Sequence, residues 1–264
     1  MKSSSVLYDD IGNGYNTTRQ ADPYIARKIF QLLSHEIEGL YLDVGCGTGN
    51  YTIALANEGL DFYGVEPSEE MLKIARSKNN RVKWLQGRSE QIPANDELFN
   101  GVIATLTIHH WADLGKAFGE IYRVLKPNGK MVLYTALPEQ MRGYWLNHYF
   151  PVMLEESILQ MPSFDNIKDA AINTGLKVTA TEKYFISDNL KDLFLYSGKN
   201  KPELYLDGEV RKGISSFSAL ANAGEVQSGL SKLAEDIESG RFEDIKAEFD
   251  NGLGDYLFIV LQKN

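Results

Sequence analysis

The chain of 264 residues has a single cysteine, Cys46, and four histidines. One thiol excludes an intramolecular disulfide, and four scattered imidazoles make no cluster at zinc-ligand spacing, so no metal is expected. Positive charge is also short: 27 Lys and Arg against 36 Asp and Glu leave a net charge of −9. That balance argues against nucleic acid, because binding a phosphate backbone relies on Lys and Arg neutralising many phosphates. Long apolar runs are missing as well. No stretch approaches the roughly 20 residues of a membrane span, and Met1-Lys2-Ser3-Ser4-Ser5 lacks the apolar run of a secretion signal. The expectation is a cytoplasmic protein with a small-molecule substrate and neither a nucleic-acid nor a membrane partner; oligomeric state is not legible. With 43% hydrophobic residues, the chain can bury one sizeable core and carry a large insertion.

What the sequence does have is a glycine-rich turn. Leu40-Tyr41-Leu42-Asp43-Val44 reads as a strand that ends near an acid and runs into Gly45, Cys46, Gly47, Thr48 and Gly49. Glycine reaches positive φ cheaply and lets backbone approach a ligand closely. The dinucleotide fingerprint wants Gly-x-Gly-x-x-Gly, with the pyrophosphate on a helix N-terminus. Here the glycines are one residue tighter, and Asp43 would repel phosphate while suiting a cationic amine or a ribose hydroxyl. This disfavours an NAD-type oxidoreductase, which stands as one alternative beside a non-catalytic cofactor-binding module.

The surrounding pattern alternates. Asp22 and Pro23 start a helix with Ile25, Ile29 and Leu32 at helical spacing. Strands are expected at 40–44, 60–66, 81–86, 99–105 and 130–135. Helices are expected at 51–57, at 69–77 behind a Ser68 cap, and after Asp113, with Lys126-Pro127-Asn128-Gly129 as a turn. Such alternation implies right-handed crossovers and a parallel doubly wound sheet. Beyond Pro138 it loosens. The reading divides the chain into a core at 1–137, a cap segment at 138–163, a core helix and strand at 164–187, a helical cap insertion at 188–253 and a last strand at 254–264. Within the insertion, Leu190, Leu193 and Phe194 suggest one short helix, Ile214, Phe217 and Leu220 another, and Val226, Leu230, Leu233 and Ile237 a third. The closing run Asp255 to Gln262, almost continuously apolar, suits a strand buried on both faces.

In an open parallel sheet, ligands bind beyond the carboxyl ends of the strands. Asp43 with the glycines, Glu66, Arg88-Ser89-Glu90 and Thr105 follow successive strands and should converge. The segment from Asp43 to Gly49 resembles motif I of the class I S-adenosylmethionine-dependent methyltransferases. Val65-Glu66-Pro67-Ser68-Glu69-Glu70-Met71, Ser89-Glu90-Gln91-Ile92-Pro93 and Arg123-Val124-Leu125-Lys126-Pro127-Asn128-Gly129 resemble later motifs of the same family, in order, across residues 8 to 137. The chain resembles its methyltransferase type 11 group, which is ubiquinone/menaquinone-methyltransferase-like. The resemblance implies an α/β, Rossmann-like, doubly wound, mainly parallel seven-stranded sheet with an inserted helical cap, whose last two strands pair at one edge. It implies S-adenosyl-L-methionine as cofactor, S-adenosyl-L-homocysteine as product, and methyl transfer to a small acceptor by in-line displacement.

The same resemblance implies that Asp43, Gly45, Cys46 and Gly47 border the methionyl portion, Glu66 the ribose, and Pro67, Met71, Ser89, Glu90 and Thr105 the rest of the cofactor. Relatives carry an acid for adenine's amino group where this chain has Arg88. Tyr15 and Arg19 look like part of an N-terminal lid, with Arg19 facing the methionyl carboxylate. His109 and His110 follow the fourth strand, where an imidazole could take a proton from an acceptor or simply shape the pocket. Trp111, Arg142, Tyr144, Trp145 and His148 are substrate-binding candidates, although an aromatic stripe at helical spacing equally reads as core.

Overall fold

In the computed structural model, residues 18–33 and 39–264 are described. Seven strands form one sheet: β1 (Leu40–Val44), β2 (Asp61–Glu66), β3 (Lys83–Gln86), β4 (Phe99–Thr105), β5 (Leu125–Thr135), β6 (Leu176–Tyr184) and β7 (Tyr256–Lys263), in the order β3-β2-β1-β4-β5-β7-β6. The pairs among β1 to β5 are parallel. β7 runs antiparallel to both β5 and β6. The α/β, mainly parallel, seven-stranded architecture is therefore as expected, including the antiparallel pair at one edge and the segment inserted between its two strands.

Local chemistry sets the helix starts. Asp22 Oδ1 accepts from the backbone N–H groups of Tyr24 and Ile25 at 2.9 and 3.1 Å ahead of the helix Pro23–Leu33. Ser68 Oγ accepts from Met71 N ahead of the helix Glu69–Lys78, and Asp113 Oδ1 from Lys116 N ahead of Leu114–Val124. Each bond satisfies a donor that a helix leaves orphaned in its first turn. Most of β7 is buried, because it lies between two strands and under helices on both faces.

Two expectations are corrected. The fifth strand begins at Leu125, not Lys130: Phe99 pairs with Leu125 and Gly101 with Lys130, so the Lys126-Pro127-Asn128-Gly129 turn is an excursion inside the strand. Asn128 takes φ 64° to make it, a left-handed conformation that Asn tolerates better than most residues. Leu190, Leu193 and Phe194 lie in irregular chain, not a helix. Two backbone donors of this stretch are taken by distant partners: Lys191 N donates to Asp22 Oδ2 at 2.9 Å and Leu193 N to Thr18 O at 3.1 Å. Around 214–220 the helix is a single wide turn, Ser216–Leu220, whereas Ala223–Ser239 is a long helix capped by Asn222. Among the described residues no helix is long and apolar enough to cross a membrane.

Candidate functional site

The carboxyl ends of β1, β2 and β4, with the segment after β3, surround an open cleft. Gly45 N and Cys46 N both donate to Val65 O, at 2.8 and 3.1 Å, which ties the loop after β1 to its neighbour β2. Gly45, Gly47 and Gly49 have φ of 75°, 53° and 79°. A Cβ on Gly45 would collide with the Thr107 side chain and one on Gly49 with the Trp84 ring, whereas one on Gly47 would meet only Met71 Sδ, at 3.7 Å. Two of the three glycines thus answer to packing as well as conformation. At Gly47 the demand is conformational.

Two carboxylates meet at this loop. Glu66 ends β2 with Oε2 accepting from Gly47 N at 3.1 Å and Oε1 from Ser68 N at 3.0 Å. Each oxygen keeps a second lone pair, so the group can hold the loop and still accept from a ligand hydroxyl. Asp43 is 2% exposed. Its Oδ2 accepts from Thr52 Oγ1 at 2.6 Å, while Oδ1 has no hydrogen-bond partner. Burial, only partly offset by the Thr52 bond, pushes Asp43 up to about 7, with the Glu66 charge adding to the rise. Burial raises Glu66 as well, against the two backbone N–H groups that lower it. Buried acids of this kind are stabilised by a cation placed beside them.

Every cofactor-binding candidate in the described residues borders this cleft; Tyr15 lies outside them. Glu90 does so while Oε1 accepts from Ala112 N at 2.6 Å, bracing the segment after β4. Arg19 is placed differently from the expected contact with the cofactor's carboxylate. Its Nε donates to Asp192 Oδ1 at 2.5 Å and its Nη2 to Oδ2 at 3.3 Å. Asp192, 1% exposed, also accepts from Tyr51 Oη at 3.1 Å. Asp192 and Tyr51 are cleft residues the sequence did not flag. Asp192 sits in the insertion, far along the chain from the glycine-rich turn at Gly45 to Gly49, with nothing in its neighbours to mark it.

A second cavity, about 270 Å³, adjoins the first. It lies between the ends of β4 and β5, the helix Pro151–Leu159 and the wide turn at 216–220, and shares Arg19, Leu106 and His110 with the cleft. Leu106, with φ 53°, carries the chain across the junction. His109 borders only the second cavity, His110 both. Their rings lie 3.8 Å apart, and burial holds His110 down to about 4 and His109 well below the usual range. Both are neutral at physiological pH, and His109 Nδ1 has no hydrogen-bond partner.

Trp111 borders the cleft and packs edge-on against Phe118 at 5.7 Å. The other aromatic candidates are elsewhere. Trp145 is fully buried, edge-on to Phe242 at 4.9 Å, with Nε1 donating to Lys199 O. Tyr144 stacks on Tyr196 at 3.8 Å. Both belong to the core under the insertion, and burying such rings is what holds the cap down. His148 packs against Tyr149, and Arg142 is exposed at the end of Pro138–Arg142. Neither borders either cavity.

Residues 42–133 match the family model described as a methyltransferase domain. Over the whole fold the chain resembles a crystal structure of a putative methyltransferase from an antibiotic biosynthesis pathway of Anabaena variabilis, at 36% identity and a TM-score of 0.82, covering 92% of this chain and 98% of that one. The chain belongs to the methyltransferase family. Among curated relatives, an uncharacterised methyltransferase of Mycobacterium tuberculosis is 35% identical over 103 residues, 39% of this chain and 42% of its own length. The demethylmenaquinone methyltransferase of Chlorobaculum tepidum is 37% identical over 105 residues, 39% of this chain and 43% of its own. The chain thus matches less than half the length of these two relatives.

Proposed function

We propose that this methyltransferase-family chain moves the methyl group of S-adenosyl-L-methionine to a small-molecule acceptor in the cytoplasm, releasing S-adenosyl-L-homocysteine. The observation that carries the reading is the pair of adjoining cavities that share Arg19, Leu106 and His110. One is lined by carboxylates and bare backbone, the other largely by apolar side chains.

The residues of the cleft fit the cofactor. Asp43 has a buried, unpartnered oxygen that a cationic amine would satisfy, and the positive-φ backbone at Gly47 leaves room above Met71. Glu66 would accept from the ribose diol, Pro67, Met71, Arg88, Ser89 and Glu90 would flank the adenosyl group, and Thr105 and Cys46 would complete the wall. When bound, the cofactor supplies an electrophilic sulfonium methyl. What the chain adds is alignment and exclusion of water, effects that lower a barrier by several kcal/mol without an acid or base. If the accepting atom bears a proton, the unpaired Nδ1 of His109 would be the group to receive it, with a basicity that burial reduces. In this reading residues 1–137 and 164–187 with 254–264 build the cofactor core, while 138–163 and 188–253 cover the acceptor; nucleic acid and membrane are not partners.

Calorimetric titration with S-adenosyl-L-methionine, S-adenosyl-L-homocysteine and NAD(H) tests the cofactor. We expect binding of the first two only; preference for NAD(H) would restore the oxidoreductase alternative. Incubation with methyl-tritiated cofactor and a small-molecule extract tests turnover. Tight cofactor binding with no labelled product would leave a binding module.

A further inference from the structure

The insertion sends one short stretch into the cleft. Among the described residues that line the cleft, Asp192 alone comes from beyond Ala112. It is 1% exposed, and its carboxylate accepts from two other parts of the chain: from Arg19, through Nε at 2.5 Å and Nη2 at 3.3 Å, and from Tyr51 Oη at 3.1 Å. The residues on either side of Asp192 are tied to the same places. Lys191 N donates to Asp22 Oδ2 and Leu193 N to Thr18 O. Asp22 N in turn donates to Tyr51 Oη at 3.4 Å, and Asn50 Nδ2 donates to Arg19 O at 3.0 Å. Asn50 and Tyr51 open the helix Asn50–Asn57, which leaves directly from the glycine turn. Three segments, 18–22, 50–51 and 191–193, are thus laced together at the cleft, and one buried carboxylate bonds to both of the other two.

On the methyltransferase reading of the cleft, on which this rests, we infer that Asp192 is a positioning residue of the cofactor site: it holds Arg19 and Tyr51 against the turn after β1, so that residues 191–193 of the insertion close the cleft around a bound cofactor. A carboxylate suits this place because it has acceptor sites for a guanidinium and a phenol at once, and its hydrogen bonds are charge-assisted. An amide of the same shape has one accepting oxygen and turns N–H groups toward the other donor, which leaves that donor without an acceptor at a buried position. The role belongs to 191–193 and not to the insertion as a whole, whose remaining residues do not line the cleft. Coupling of this kind is reciprocal. If the insertion helps to hold the cofactor, the cofactor helps to hold the insertion by the same factor.

Two readouts on the full chain test this: calorimetric affinity for S-adenosyl-L-homocysteine, and amide hydrogen exchange with and without it. In the unaltered chain, saturating S-adenosyl-L-homocysteine should slow exchange of the Lys191 and Leu193 amides by about fivefold or more, a change that a carboxylate serving only the fold would not produce. Asp192→Asn should weaken binding by about fivefold or more and abolish that slowing. Tyr51→Phe, which deletes one hydroxyl and keeps the ring, should weaken binding by about threefold. The double variant Tyr51→Phe/Asp192→Asn should bind no more weakly than Asp192→Asn alone, because both changes break the same contact. Exchange at 191 and 193 that saturation leaves unchanged in the unaltered chain overturns the closure, whether or not the variants fold. Unchanged affinity in folded Asp192→Asn overturns the role of Asp192, and losses that simply add in the double variant overturn its action through Tyr51. Absence of S-adenosyl-L-homocysteine binding by the unaltered chain is a distinct result: it strikes the cofactor reading of the cleft, and this role of Asp192 falls with it.

Discussion

The cleft and the adjoining cavity are built by opposite means. The cleft is made of strand ends and the turns that leave them: its glycines, Asp43 and Glu66 lie within 24 residues of one another, and backbone N–H groups do much of the holding. The adjoining cavity is assembled from side chains of the segment after β4, of β5, the helix Pro151–Leu159, residues 194–195, the 214–220 segment and β7. The first needs particular residues at fixed spacing, because backbone conformation and carboxylate position both have to be right. The second needs only shape and an apolar wall, which many sequences can supply. Cofactor chemistry is therefore written locally in this chain and acceptor chemistry is not.

The largest expected effect tests whether the two regions are independent. Trp145→Ala removes a fully buried ring from the core beneath the insertion and should cost about 3–5 kcal/mol of stability, measured by chemical denaturation. Affinity for S-adenosyl-L-homocysteine, measured well below the unfolding transition, should stay within about twofold, since Trp145 borders neither cavity. A loss of affinity as large as the loss of stability would show that cap and cleft are one cooperative site.

Asp43→Asn sharpens the cleft's side of the comparison. Cofactor affinity should fall by about 1.5–3 kcal/mol, the worth of a hydrogen bond to a charged group, whereas stability without cofactor should hold or rise, because ionising a buried carboxylate is costly. The pH dependence has a defined sign. Asp43 is raised from 3.8 to about 7, so in the folded chain it keeps a proton that the unfolded chain releases. Its contribution to stability is full below about pH 4 and is lost as pH rises to about 7. A bound cation favours the ionised form, so cofactor affinity should rise over that same interval and flatten above about 7. In Asp43→Asn the pH-dependent component should disappear. Calorimetry at pH 5.5, 6.5 and 7.5 checks this; an unaltered slope in the variant would assign the titration to another group.

These cases show why sequence revealed so much of one region and so little of the other. Ser68 capping its helix, Asp113 capping the next and the apolar run of β7 are local signals, and each element stands where its pattern put it. The start of β5 was missed because Pro127 and Gly129 mark a turn whether or not strand pairing resumes on both sides of it. The irregular course of Leu190 to Phe194 was missed because two of its backbone hydrogen bonds, from Leu193 and Lys191, run to Thr18 and Asp22, some 170 residues away in sequence. Tyr144 and Trp145 could equally have been core or pocket wall; only the placement of Tyr196, Tyr205 and Phe242 against them decides for core. Asp192 had no local signature, since its meaning depends on Arg19 and Tyr51 arriving beside it.

Gly47→Ala separates conformation from crowding within the cleft. At φ 53° an alanine should cost about 1–2 kcal/mol of stability, and with only Met71 Sδ near the added methyl the loop should keep its course. Gly45→Ala adds a collision with Thr107 to a similar conformational penalty, so it should destabilise more. A cofactor-affinity loss in Gly47→Ala that exceeds its stability loss would mean that the methyl intrudes on the ligand itself. Equal losses in the two glycine variants would remove crowding at Thr107 as a factor.

The smallest expected effect concerns Arg142, one of the substrate-binding candidates. It is exposed, borders neither cavity and ends a helix of five residues. Arg142→Ala should therefore change stability by no more than about 0.5 kcal/mol, as surface substitutions generally do. It should also leave S-adenosyl-L-homocysteine affinity within about twofold, since Arg142 borders neither cavity. The contrast with Arg19 is instructive: both are single arginines near the acceptor region, but only the one at the junction, paired with a buried aspartate, can act on what lies inside. If Arg142→Ala cost as much affinity as Asp43→Asn, the site would extend to a surface that neither cavity reaches.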